Sequence, residues 1–163
     1  MTDSERAFSL EFYDEPSTGR APVYDWITKE LSPFQRRSLG VAMSEILERQ
    51  GVGICGGEYG KQLGGGLFEF RLRHGADEIA AMFTNKKPDA QDKEPILLRV
   101  YCHAYGGRII LLLAGYNKLA RPTKKREQDE IALARKRLAE FRRRDGGSAS
   151  SLTVCVKAHR MRS

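Results

Sequence analysis

Apolar and polar positions alternate along this chain in patterns that mark out most of its elements. Ile96-Leu97-Leu98-Arg99-Val100-Tyr101-Cys102 and Ile109-Ile110-Leu111-Leu112-Leu113-Ala114 are two apolar runs flanking Tyr105-Gly106-Gly107-Arg108. A glycine pair between two such runs predicts a tight β-hairpin. Phe8-Ser9-Leu10-Glu11-Phe12-Tyr13 alternates with period two and predicts a first strand burying Phe8, Leu10 and Phe12. Leu67-Phe68-Glu69-Phe70-Arg71-Leu72-Arg73 alternates as well. Phe68, Phe70 and Leu72 share one face of this strand, and Leu67, Glu69, Arg71 and Arg73 share the other.

Helical spacing fills the intervals. Pro22 opens a helix whose stripe is Val23, Trp26, Ile27 and Leu31. Ser32 as N-cap and Pro33 as first helical residue open a second, with Leu39, Ala42, Met43, Ile46 and Leu47 on one side and Gly51 at its end. The two make a helical hairpin suited to one face of a sheet. Pro122-Thr123 starts a last helix, Thr123 as N-cap, that buries Ile131, Ala134, Leu138 and Phe141 and turns Arg135, Lys136, Arg142 and Arg143 outward.

The remaining stretches are less patterned. Residues 51–66 hold eight glycines and match GxGxxG at Gly51, Gly53 and Gly56. A dinucleotide fingerprint needs a strand before it and a helix after it; here a helix precedes, so the stretch reads as a flexible connector. Glu78 to Phe83 fits a strand or one helical turn, and Asn85 to Glu94 reads as a polar surface excursion. Leu152 to Val156 could form a strand. Residues 1–144 are expected to be one domain, with 145–163 a linker and tail.

Charge separates the two parts of the chain. Residues 1–60 carry six basic and ten acidic side chains, whereas 61–163 carry 22 and 11. From Lys118 to Arg144 eleven Lys and Arg face four Asp and Glu. Such asymmetry favours a localised polyanion-binding surface, the alternative being the solvated side of one helix. Three dispersed cysteines, Cys55, Cys102 and Cys155, do not make a disulfide framework. The polar start of the chain lacks a leader's apolar core, and no run has the roughly 20 apolar residues of a membrane span, so a cytoplasmic protein with no membrane association is expected. Cys155 and His159 are too isolated for a zinc site, so neither metal nor cofactor is expected.

Lys61-x-Leu63, Leu67-Phe68-Glu69-Phe70-Arg71, Arg99-Val100-Tyr101, Gly107-Arg108-Ile109-Ile110-Leu111-Leu112, Gly115-Tyr116-x-Lys118 and a closing helix with Ala132 to Arg137 follow one another in an order that resembles the RelE/HigB superfamily of type II toxins. The phage-derived HigB-like branch is the nearer match, over roughly Phe8 to Phe141. The resemblance implies an α+β, RelE-like fold in which an N-terminal helical hairpin packs on a small antiparallel sheet, with a C-terminal basic helix. It further implies an mRNA endoribonuclease (mRNA interferase) of a toxin-antitoxin system, ribosome-associated in many members and silenced by an antitoxin that often has a helix-turn-helix domain. Tyr116 stands where the family often has Phe, and Ala114 where a His is common. The segment between Arg73 and Arg99 is longer than usual.

Metal-independent RNA cleavage needs the 2′-hydroxyl deprotonated, the phosphorane stabilised and the leaving 5′-oxygen protonated. Guanidinium does not serve as a base, since its pKa exceeds about 12, but it grips phosphate oxygens. Arg71 and Arg99 are therefore assigned to the transition state, with pairing to Glu69 or Glu11 as their ordinary structural role. Arg73 and Arg108 are secondary candidates. Tyr101, Tyr116 and Lys118 are candidates for proton transfer, provided surrounding cations lower their pKa values; His103 is a further one. Lys61, Arg121, Lys124 and Lys125 are expected to contact RNA phosphates together with Arg73 and Arg108. A non-catalytic nucleic-acid-binding protein of the same fold, and a protein-interaction module, are the alternatives.

Overall fold

The computed structural model describes residues 7–84 and 95–147. Its centre is a five-stranded sheet made of β1 (Ser9–Phe12), β2 (Gly60–Gly64), β3 (Leu67–Leu72), β4 (Leu98–Tyr105) and β5 (Ile109–Asn117), in the order β1-β5-β4-β3-β2. β1 runs parallel to β5, and the other three pairings are antiparallel. The described helices are α1 (Pro22–Asp25), α2 (Pro33–Ala42), α3 (Ala76–Thr84) and α4 (Lys124–Gly147). α1 continues as a π-helical turn, Trp26–Glu30, and α2 through a second one, Met43–Leu47, to Glu48–Gln50.

The helical hairpin forms for the reasons its sequence gives. The Ser32 hydroxyl accepts the Gln35 N–H at 3.1 Å while the Gln35 side chain accepts the Ser32 N–H at 2.9 Å, a reciprocal cap with Pro33 as first residue. Arg36 closes the preceding helix by donating to the carbonyls of Ile27, Thr28 and Leu31 at 3.0, 2.9 and 3.3 Å. Val23, Ile27, Leu31, Leu39, Met43, Ile46 and Leu47 then pack on Leu10, Phe12, Phe68, Phe70, Val100, Ile110 and Leu112. The β4–β5 hairpin turns through Gly106 and Gly107, whose φ values of 61° and 88° suit glycine.

α4 lies on the opposite side of the sheet. Thr123 Oγ1 accepts the Arg126 N–H at 3.2 Å, and Ala134 and Leu138, flanked by Ile131 and Phe141, meet Leu67, Tyr101, Leu111, Leu113, Ala114 and Tyr116. A β-bulge opposite Tyr101 and Cys102 inserts Leu113, so Leu113 and Ala114 both turn toward α4. The sheet is thus covered on both sides in an α+β arrangement.

One expectation changes and one open alternative is decided. The glycine-rich 51–66 is not a connector: Gly51–Ile54 is a 3₁₀ turn, and Gly60–Gly64 becomes strand β2 by hydrogen bonding to β3. Backbone pairing needs no side-chain pattern, which is why composition hides it. Residues 76–84 resolve to a helix, α3, which packs against α2. α4 runs to Gly147. The Asn85–Glu94 excursion, the Leu152–Val156 strand and Cys155 with His159 lie outside the described residues. No helix among those described is long and apolar enough to cross a membrane.

Candidate nucleic-acid interface

Strand alternation and register bring the charged residues of β3 and β4 together. Arg71 is opposite Arg99, and Arg99 is opposite Tyr116, making one row across β3, β4 and β5. The next row is Lys61, Glu69, Tyr101 and Ala114, from β2 to β5. Both rows face α4. Glu69, only 2% exposed, is held between two guanidinium groups: Arg71 Nε donates to Oε2 at 2.8 Å, and Arg99 Nε lies 3.3 Å from Oε1. Arg99 is itself buried, whereas the Arg71 side chain keeps 23% exposure. Arg71 is thus the open edge of an ion-paired cluster whose inner members are sealed.

The phenols sit deeper than the sequence reading requires of a base. Tyr101 is fully buried and its hydroxyl has no hydrogen-bond partner among the described residues; burial, then the nearby Glu69 and Glu127, hold its pKa far above the ordinary tyrosine value. Tyr116 is also buried, its hydroxyl donates to the Arg121 carbonyl, and burial followed by Glu127 raises its pKa. The expected lowering by cations is reversed. α4 excludes water and brings acids: Lys118 Nζ pairs with Glu127 at 3.4 Å and Arg126 with Glu130 at 2.8 Å. Both phenols therefore stay protonated at neutral pH.

The remaining candidates divide by position. Arg73, just past β3, is exposed near Arg99, and its charge adds to the lowering of the Arg99 pKa, of which burial is the chief cause. Lys61 is exposed on the outer strand, and Arg121, Lys124 and Lys125 are exposed where β5 gives way to α4. Arg108 does not join them. It lies in the β4–β5 turn, at the end of β5 remote from Tyr116, roughly 25 Å away at about 3.3 Å per strand residue. His103 is four residues along β4 from Arg99, and its Nδ1 donates to Gly66 O at 2.8 Å.

Four arginines of the basic helix, or at its end, bond to backbone carbonyls of the sheet and its turns. Arg135 donates to Leu63 O and Gly64 O at 2.6 and 3.1 Å, Arg142 to Gly65 O at 2.9 Å, Arg137 to Leu113 O at 2.7 Å and Arg144 to Asp14 O at 2.8 Å. These arginines cap carbonyls at the β2–β3 turn, the β5 bulge and the end of β1, and so fasten α4 to the sheet. Arg135 and Arg142 are exposed, as the pattern predicted, and their guanidinium groups also hold backbone carbonyls.

A cavity of about 340 Å³ opens at the end of β5, between the turn after α1 and the middle of α4. Trp26, Gly115, Tyr116, Arg121, Glu130 and Arg137 are among its walls. A Cβ on Gly115 would overlap the Trp26 ring, so this glycine lets the indole lie against the strand. The sequence signal was a glycine inside an apolar strand, a mark of close approach. Among the described residues no group of three or more His, Cys, Asp or Glu is placed to hold a metal. No family model matches the chain, and no curated protein matches it either.

Proposed function

We propose that this chain is a RelE/HigB-like toxin of the phage-derived branch: an mRNA endoribonuclease, acting without metal or cofactor, that a helix-turn-helix antitoxin holds inactive. The observation that carries the reading is the placement of Arg71 directly opposite Arg99, on one face and around one carboxylate. A scissile phosphate approaching from solvent meets Arg71 first, with Arg73 beside it and Lys118 nearby. The Arg71 guanidinium, fixed on its strand and braced through Glu69 by the buried Arg99, can neutralise charge developing on phosphorane oxygens with little reorganisation. Glu69 aligns Arg71 and Arg99, and Tyr101 and Tyr116 support the cluster from beneath α4 rather than acting as bases; solvent water takes the 2′-hydroxyl proton and Lys118 protonates the leaving 5′-oxygen. Lys61, Arg121, Lys124 and Lys125 supply phosphate contacts around it.

The test is expression of the wild-type chain and of Arg71→Ala, with cell growth and transcript length as readouts. Growth arrest and shortened transcripts are expected from the wild type. Loss of the partly exposed Arg71 should lower cleavage by about 10²- to 10³-fold, as removal of a transition-state donor does, while the protein stays folded by circular dichroism. Unchanged cleavage by Arg71→Ala would refute the assignment.

One observation favours a second reading. Arg99 and both phenols are sealed beneath α4, and Glu69 already neutralises part of the cationic row. A protein that retains RNA in a salt-dependent way, yet shortens no transcript with ribosomes present, would be a non-catalytic nucleic-acid-binding protein of this fold.

A further inference from the structure

We propose that the cavity at the end of β5 is a nucleotide-binding subsite, in which Arg121 and Arg137 take a phosphate and the ring system lies along Trp26. As part of an RNA-cleaving surface it rests on the function proposed above for its role, but its binding chemistry is measurable without any cleavage.

The topology makes the opening. β1 ends at Phe12, opposite Leu112, so the last five residues of β5 have no β1 partner on that side. The turn after α1 and the body of α4 flank the gap without filling it, leaving about 340 Å³. That volume falls at the lower end of the usual range for small-molecule sites, roughly 300 to 1,000 Å³, and accommodates one nucleotide.

The chemistry of the walls narrows the occupant. Three arginines, Arg121, Arg126 and Arg137, meet two carboxylates, Glu30 and Glu130. Arg126 is matched with Glu130 at 2.8 Å. Arg137 and Arg121 have no carboxylate within ion-pair distance among the described residues. Arg137 is half-buried and commits Nη1 to Leu113 O at 2.7 Å, leaving other guanidinium N–H groups for an acceptor. Glu15 and Glu130 act on Arg137 only from beyond ion-pair distance, so its partly desolvated guanidinium is further stabilised by an anion that makes direct contact. The same walls disfavour a divalent cation, which would face three guanidiniums, and a lipid chain, which would desolvate them. Trp26, seated on Gly115, supplies a flat aromatic surface of the kind on which unpaired bases stack. Tyr116 links this cavity to the row containing Arg99 and Arg71.

Trp26 is the single tryptophan of the chain, so its emission reports on this cavity alone. The full chain is titrated with adenosine and uridine 5′-monophosphates, the matching nucleosides, inorganic phosphate, a short unstructured RNA and an acidic peptide. A saturable change in Trp26 emission with the monophosphates or the RNA is expected, with the nucleosides at least tenfold weaker and phosphate acting as competitor. A response to both assigns the site to any nucleotide, and a response to RNA alone assigns it to a nucleotide within a chain. Arg121→Ala, an exposed residue whose loss spares the backbone carbonyl bonded by Tyr116, should weaken binding about tenfold, the effect of one charge-assisted contact, with an unchanged circular dichroism spectrum. No saturable change at millimolar nucleotide or with RNA, nucleosides equal to monophosphates, or an acidic peptide binding in preference to RNA would each overturn the proposal. Arg71 does not line the cavity. Failure of Arg71→Ala to stop cleavage therefore counts against the proposed function, and failure of nucleotide to perturb Trp26 counts against this subsite.

Discussion

The two sides of the sheet are covered by different kinds of contact. On the α1–α2 side, Phe68, Phe70, Leu72 and Val100 meet aliphatic residues from two helices, and burial of apolar surface does the work. On the α4 side, apolar contacts through Ala134 and Leu138 share the space with the Arg71–Glu69–Arg99 cluster and with arginines capping backbone carbonyls. The first side tolerates little but shape and hydrophobicity. The second places charges where they are costly to desolvate, which is what marks the cluster as a candidate site.

The largest effect should come from the apolar side. Phe70, fully buried, is expected to cost about 3–5 kcal/mol of stability when changed to Ala, measured by urea unfolding. On the α4 side, Glu69→Ala should cost about 3 kcal/mol because it strands the buried Arg99. Joint replacement by Glu69→Leu and Arg99→Met should recover most of that loss while removing function. If the double replacement were no more stable than Glu69→Ala, the cluster would be a stability element and the contrast between the sides would fail. Ser32→Ala removes one half of the reciprocal cap on α2 and should cost about 1 kcal/mol.

The smallest effect at neutral pH has one representative on each side. Tyr13, near α4, is raised to about 12 by burial and by its hydrogen bond to Glu140; Tyr59, near α2 and α3, is raised to about 12 by burial and Glu58. A folded pKa above the unfolded value of about 10 means the native state holds its proton more tightly. The stability this contributes is complete below pH 10 and lost as pH rises from about 10 through 12. Phenolate absorbance should lag behind that of the urea-unfolded chain over this window. Tyr13→Phe and Tyr59→Phe should each remove part of the lag.

Periodicity exposed the apolar side well. The stripes Val23–Leu31 and Leu39–Leu47, the alternation of β1 and β3 and the Gly106-Gly107 turn are all where the pattern predicted them, because burial on one side imposes a period on the sequence. β2 escaped because Gly60, Gly64 and their neighbours contribute hydrogen bonds rather than a pattern. The stripe of α4 predicted that the helix packs, but not on which side of the sheet. That one unknown governs the site: it decides that Tyr101 and Tyr116 are covered, that Glu127 and Glu130 outweigh the cations near them, and that Arg135 and Arg142 act as clasps. The shared face of Arg71 and Glu69 was legible from strand parity, and the opposition of Arg71 and Arg99 required the register.

The pairing of Ser9–Phe12 with Ile109–Leu112 joins segments about a hundred residues apart. On a translating ribosome the first strand must wait for nearly the whole domain to emerge before it finds its neighbour, and α4 arrives later still. Contacts this distant in sequence close late, so an unfinished nascent chain lacks the completed sheet and its cover. The complete sheet, covered on both sides, is thereby assembled only after most of this domain has been made, by the order of the chain itself.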